Sequence, residues 1–293
     1  MTERLYLGID GGGTSCRARM RNADGDCLGE GSAGSANPRV GLEAAFASII
    51  DAARQALESA GLDEGHLGRL HAGLGLAGVN LTLERDRVLA YPHPFADVVL
   101  ETDVYVACLG AHRGSDGAVL IAGTGSNAIA LQGDRQHTVG GWGFLVADQG
   151  SGAGIGRAAV RRALWAHEGM VETTLFSRQL LAQFSNEPER LVIWADQALP
   201  RDYGAFVPLV FEHAEKGDSM ATMLLRQAAE DLALMIQALL STGVSQVCLM
   251  GGLARPITPW LPPSVQTVLV PAKGDAMDGA ILLARRQLEG TRP

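Results

Sequence analysis

At 293 residues the chain can form one large domain or two of ordinary size, and its 47% apolar content is enough for sizeable cores. A net charge of −8 with no Lys/Arg run argues against a nucleic-acid groove. No window nears ~18 unbroken apolar residues, so no membrane-spanning helix is expected, and Thr2, Glu3 and Arg4 lead into an apolar run without a basic n-region, so a cytoplasmic chain without a secretory signal is expected.

Periodicity then gives the elements in chain order. Leu5–Ile9 is a predicted strand, and it runs into Asp10 and the stretch Gly11, Gly12, Gly13, Thr14. A second strand, Cys16–Met20, alternates polar and apolar residues; "NADGD" (22–26) is a turn, and Cys27–Ser32 is a third strand. Three strands on short turns make an antiparallel meander. Leu42, Phe46, Ile49, Ile50, Ala53 and Leu57 recur at helical spacing, with Gly61 closing the helix. A buried strand over 70–78, a short helix over 81–90, a strand over 96–101 and a helix capped by Asp103 follow.

The same order then restarts. Residues 117–143 read as strand, Gly/Thr turn, strand, polar turn and strand, with Gly123 placed as Gly11 is in the first half. Helices dominate from about 152 to 242, with Asp218 as an N-cap; strands are predicted at 246–250 and 265–270 and a last helix at 276–289. The expectation is an α/β protein of two duplicated βββαβα domains, 1–113 and 114–293, flanking a cleft. The second domain carries a helical insert, and the last helix packs back on the first domain. Cys16, Cys27, Cys108 and Cys248 lack paired spacing, so buried thiols are expected and no zinc site or disulfide framework.

The two glycine turns carry the chemistry. In a P-loop, glycines open a helix that holds phosphate at its N-terminus; here they close β-hairpins. Backbone without a Cβ lets amide groups approach an anion. Gly11, Gly12, Gly13 and Thr14 from one domain and Gly123, Gly125, Ser126 and Asn127 from the other are candidate nucleotide contacts. Asp10, at the first strand's end, is the candidate for the accompanying Mg²⁺, which keeps its waters and takes few carboxylates.

The stretches "GIDGGGT", "TDVYVA", "IAGTGSNAIA", "GGWGFLVADQGSGAGIG" and "VCLMGGLA" resemble, in this order, N-acetylglucosamine and glucosamine kinases. These belong to the BadF/BadG-type ATPase branch of the sugar kinase/actin/Hsp70 superfamily, and the resemblance covers nearly the whole chain. It implies a ribonuclease H-like, actin-like ATPase fold and ATP-dependent phosphorylation of N-acetylglucosamine at O6, with ATP and Mg²⁺; glucosamine is the alternative sugar. It further implies Asp103 as the catalytic base; Asn37, Thr124, Gly141, Trp142 and Asp148 around the sugar; Thr14 and Asn127 on ATP; and Gly251, Gly252 and Ala254 as the turn against the nucleoside. A homodimer is the expected partner state, with no nucleic acid or membrane partner. Ala147 and Gln149 stand where the family commonly has Gly and Glu, which leaves the amino substituent of the sugar open. An activator-type ATPase of a benzoyl-CoA-reductase-like system is the rival reading. It needs cysteines that meet across a dimer, and Cys108 and Cys248 form no evident set.

Overall fold

A computed structural model describes residues 4–290; Thr2 and Glu3 lie outside the described residues. In chain order the elements are β1 (Leu5–Gly11), β2 (Cys16–Arg21), β3 (Cys27–Ala33), α1 (Leu42–Ser59), β4 (Leu70–Leu76), α2 (Thr82–Leu89), β5 (Asp97–Thr102) and α3 (Asp103–Ala111). There follow β6 (Gly117–Ala122), β7 (Ser126–Gln132), β8 (Arg135–Gly140), α4 (Gly152–His167), α5 (Leu175–Ala182), α6 (Pro188–Ala195), α7 (Pro200–Gly204), α8 (Val207–Glu215) and α9 (Ser219–Leu240). The chain ends with β9 (Val247–Met250), α10 (Ala254–Ile257), α11 (Pro263–Gln266) and α12 (Ala276–Leu288). No helix among the described residues is long and apolar enough to cross a membrane.

Two mixed sheets are present, ordered β3-β2-β1-β4-β5 and β8-β7-β6-β9. The chain divides into two compact units. One takes the residues up to Val119, Ile129–Gln136 and those from Pro271 onward; the other takes Leu120–Ala128 and His137–Val270.

In the first unit β1 is central, antiparallel to β2 and parallel to β4, which is parallel to β5. Strand alternation sorts β1 between two layers. Leu7 and Ile9 join Phe46 and Ile49 of α1 in one core, while Tyr6 packs with Ile281 and Ala284 of α12. Gly73 on β4 is required by the second layer, because a Cβ there would lie 1.9 Å from the Ala280 carbonyl oxygen of α12. The first half has one more strand and helix than βββαβα, since β5 and α3 complete it.

The second unit is largely helical, with Phe184, Trp194, Tyr203 and Phe206 in a tilted and edge-to-face aromatic cluster. Asp218 caps α9 through the Met220 and Ala221 amides, as its position predicts. The strand expected over 265–270 is not formed. Pro262 and Pro263 start the helical turn α11, and only an isolated parallel bridge, Val247 to Leu269, remains. The cysteines are free, and Cys27 is exposed, which corrects the expectation that all four thiols are buried.

Candidate active site

The register of the first sheet brings the candidates of the first unit together. Gly11 pairs with Leu76, and Leu76 pairs with Thr102, so the ends of β1, β4 and β5 lie in a row. Strands sit about 4.8 Å apart, which puts Asp10 and Asp103 on the same edge, at the carboxyl ends of parallel strands where α/β sheets bind ligands.

Beyond β1 the chain turns tightly, with the Gly12 amide donating to the Ser15 carbonyl at 2.8 Å. The three glycines have different uses. Gly11 is buried, and a Cβ there would lie 2.4 Å from Leu76 and 2.9 Å from Ala36, so it serves packing. Gly12 and Gly13 are open; a Cβ would meet only the Ser15 carbonyl oxygen, at 3.4 Å, from Gly12 and nothing from Gly13. Thr14 is exposed beside them. The Ala36 and Ala77 amides donate to the Gly12 and Gly11 carbonyls, which brings the Asn37 and Gly78 segments to the turn. Asn37 Oδ1 accepts from the Arg39 amide at 3.0 Å, leaving the Asn37 Nδ2 group as a donor.

Asp103 differs from expectation in one respect. Thr102 caps α3, its Oγ1 accepting from the Tyr105 amide, and Asp103 is the first helical residue. Its Oδ1 accepts from the Val104 amide at 2.8 Å. The helix N-terminus alone would keep the carboxylate ionised. Burial, aided by the nearby Asp10 charge, instead pushes the carboxyl up from its ordinary value, against the Val104 amide. Asp10 itself accepts from Arg17, directly across the β1–β2 hairpin. Arg17 was not among the sequence candidates. Its signal was the antiparallel register that sets it opposite Asp10.

In the second unit the candidates gather at the end of β6. The Gly123 amide donates to the Gly125 carbonyl at 2.9 Å, closing the turn that carries exposed Thr124. The Gly152 and Ala153 amides donate to the Gly123 and Thr124 carbonyls and dock the start of α4 on it. Asp148, held at φ +65°, accepts from the Ser126 amide at 3.1 Å, and the Ser126 hydroxyl donates to the Gln149 carbonyl at 2.8 Å. Ser126 is therefore buried and spent on this loop. Burial raises the Asp148 carboxyl, opposed by the Ser126 amide and the Arg157 charge. Gly141, at φ +75°, lies where a Cβ would be 2.7 Å from Asn127 Oδ1. That Oδ1 is buried with no hydrogen-bond partner among the described residues, an acceptor that a ligand hydroxyl or amine could satisfy. Trp142 is 68% exposed, so it is not a core residue, and its ring face is open to a ligand. Gly251 packs on the Ala122 backbone at φ +94°, Gly252 is open, and the Ala254 amide closes the turn on the Gly251 carbonyl.

No group of three or more His, Cys, Asp or Glu able to hold a metal ion occurs among the described residues. One partly buried carboxylate at the end of β1, Asp10, which here pairs with Arg17, suits a Mg²⁺ that would arrive held mostly by phosphate oxygens and water.

The sequence matches the BadF/BadG/BcrA/BcrD ATPase family over residues 7–284. It is 44% identical over 279 residues to the glucosamine kinase GspK of Vibrio cholerae, with 95% of each chain covered. It is 27% identical over 254 residues to the N-acetyl-D-glucosamine kinase of Dictyostelium discoideum, covering 79% of this chain and 78% of that one. The structure is similar to that of a Chromobacterium violaceum protein assigned as an N-acetylglucosamine kinase. The TM-score is 0.89 at 33% identity, with 96% of this chain and 99% of that one covered.

Proposed function

The chain belongs to the BadF/BadG/BcrA/BcrD ATPase family, and from that premise we propose that it transfers the γ-phosphoryl group of ATP to the 6-hydroxyl of an amino sugar. The 44% identity to a glucosamine kinase over 95% of both chains supports glucosamine as the first reading. N-acetylglucosamine, which the motifs alone put first, is the second reading, supported by the 33% identical structure.

The observation that carries the proposal is Asp103. Its capping duty is taken by Thr102, its carboxyl is raised, and it shares a sheet edge with Asp10 and the open glycines. Phosphoryl transfer needs positioning and charge neutralisation more than covalent help. In the proposed step Asp103 accepts the O6 proton, O6 bonds to the γ-phosphorus, and the bond from that phosphorus to the β-phosphate bridging oxygen breaks, releasing ADP. A raised carboxyl is the better base near neutral pH. Asp10 would face the Mg²⁺ that arrives with ATP, which when bound would supply charge neutralisation at the phosphate oxygens. Gly12, Gly13, Thr14, Gly123, Gly125 and Asn127 would contact phosphates, and Gly251, Gly252 and Ala254 the nucleoside. Asn37, Thr124, Trp142 and Asp148 would hold the sugar.

A coupled ADP-release assay against glucosamine, N-acetylglucosamine, glucose and N-acetylmannosamine tests this. ADP release that rises with glucosamine, or secondarily with N-acetylglucosamine, is expected. ADP release at one rate with and without every sugar would reject the kinase reading in favour of an activator-type ATPase.

A further inference from the structure

A cleft of about 390 Å³ opens within the first unit, between the end of α3, the start of α12 and the turn that joins β2 to β3. Arg21, Gly25, Arg113, Lys273, Asp278 and Arg285 are among the residues that line it. It lies away from the open glycines. In the hairpin register Arg21 stands opposite Tyr6 and Arg17 opposite Asp10. At about 3.4 Å per residue this separates them by about 14 Å along β1, with Arg21 toward the strand's amino end. The Arg285 guanidinium packs 4.8 Å over the Tyr6 ring.

Four cations and one carboxylate line this cleft, in a chain whose net charge is −8. The carboxylate is already matched, because Asp278 accepts from Arg19 at 2.8 Å and from Arg21 at 2.9 Å. Arg113, Lys273 and Arg285 form no ion pair among the described residues. Arg113 donates through Nε to the Lys273 carbonyl at 3.4 Å. Arg285 donates to the Asn22 and Ala23 carbonyls at 2.7 and 2.9 Å, and its Nε is buried with no hydrogen-bond partner among the described residues. Neutral carbonyls hold the two guanidinium groups in place without cancelling their charge. Arg113 also takes φ +50° just beyond α3, where glycine is the usual residue. The chain carries a guanidinium there at a cost to the backbone.

Three unpaired cations around one concave surface repel one another. A tetrahedral dianion relieves this and accepts from several donors at once, and guanidinium forks match its oxygens. The cleft is many times the roughly 30 Å³ share of a water, enough for a phosphate that carries a small organic body. A concave patch of few cations on an acidic chain is not the long basic stripe that a nucleic acid needs. We propose that this cleft is an anion site, separate from the glycine turns, that takes a small phosphate-bearing molecule, with Arg113, Lys273 and Arg285 as its ligands.

Calorimetric titration of the full chain at low salt, with inorganic phosphate and separately with glycerol 3-phosphate, tests this. Arg113→Gln combined with Lys273→Gln is expected to weaken binding at least tenfold, the scale of one charge-assisted hydrogen bond. Arg190→Gln combined with Lys216→Gln removes the same charge from exposed residues of the other unit and should leave binding unchanged. Gly12→Val, which obstructs the first hairpin, should leave it unchanged too, and this keeps the result apart from the kinase reading. Tighter binding of glycerol 3-phosphate assigns the cleft to a phosphomonoester, and tighter binding of inorganic phosphate assigns it to the free anion. Circular dichroism verifies that each variant is folded. The inference is overturned if the unaltered chain binds neither anion or if the Arg113/Lys273 variant binds as well as the unaltered chain. Equal loss in the Arg190/Lys216 variant, or loss in Gly12→Val, overturns it as well.

Discussion

Asp103, the proposed base, shows how a side chain can be held in a place that disfavours its charge, at a cost to the fold. Both Thr102 and Asp103 are good helix caps, and the sequence alone cannot choose between neighbours; the structure gives the cap to Thr102. The Asp103 carboxyl is then held in a crowded place that disfavours its charge. Its pKa is raised above the ordinary 3.8, so the native state binds the proton more tightly than the unfolded chain does. The sign follows: Asp103 costs nothing below the ordinary carboxylate range, and its penalty grows as pH rises, becoming complete above the raised value. Asp103→Asn should therefore lower kcat by about 10²–10⁴ while leaving the melting temperature at neutral pH equal or higher. That stability difference should vanish near pH 3. The unaltered enzyme should lose kcat/KM on the acid side at a pH above the ordinary carboxylate range. Near-native turnover by the folded variant would remove Asp103 from the base role.

At the scale of elements, the glycine hairpins were legible in the sequence because their signal is local: an apolar strand, a run of glycines, then alternation. What the sequence could not do was tell the three glycines apart. Gly11 is held against Leu76 and Ala36, and only the sheet register reveals that. Gly12 is the glycine whose replacement separates function from fold, since a Cβ there meets one carbonyl oxygen at ordinary contact distance. Gly12→Val should keep the circular dichroism spectrum and leave stability within about 1 kcal/mol, as surface changes do, while nucleotide affinity falls at least tenfold by calorimetry. Unchanged affinity would make the hairpin a turn and nothing more. The expected strand over 265–270 failed for a related reason. Val265, Val268, Leu269 and Val270 read as strand formers, but Pro262 and Pro263 preset a helical turn that consumes the first of them. Arg17 was invisible for the opposite reason, because its partner is set by pairing across the hairpin and not by spacing along the chain.

At the scale of the whole molecule, the last helix of the chain belongs to the core of the unit that the first strand begins. Met277, Ala280, Ile281 and Ala284 of α12 are buried, and the helix packs on β1, β4 and α3. Side chains are absent where it comes closest, at Gly8, Gly73 and Gly110 on its partners and at Gly279 on α12 itself. Arg19 and Arg21 tie the capping box of α12, Asp275 and Asp278, to β2, and burial of Asp278 is outweighed by these contacts, which lower its carboxyl. The first unit thus depends on residues that follow the second unit in the sequence, and a defect in α12 should appear in β1, β4 and α3 before it appears elsewhere. Gly279→Val tests this in the full chain, because a Cβ at Gly279 would lie 1.8 Å from the Val106 carbonyl oxygen, and backbone has to move to admit it. Overpacking of this kind costs about 1–3 kcal/mol, which for a chain of this size lowers the melting temperature by about 2–10 °C. In hydrogen exchange, protection should fall across β1, β4 and α3 and hold in α9, which lies in the other unit. Equal loss of protection in α9 would mean that the two units unfold as one cooperative block, and that the close packing of α12 is a property of the whole chain and not of its first unit.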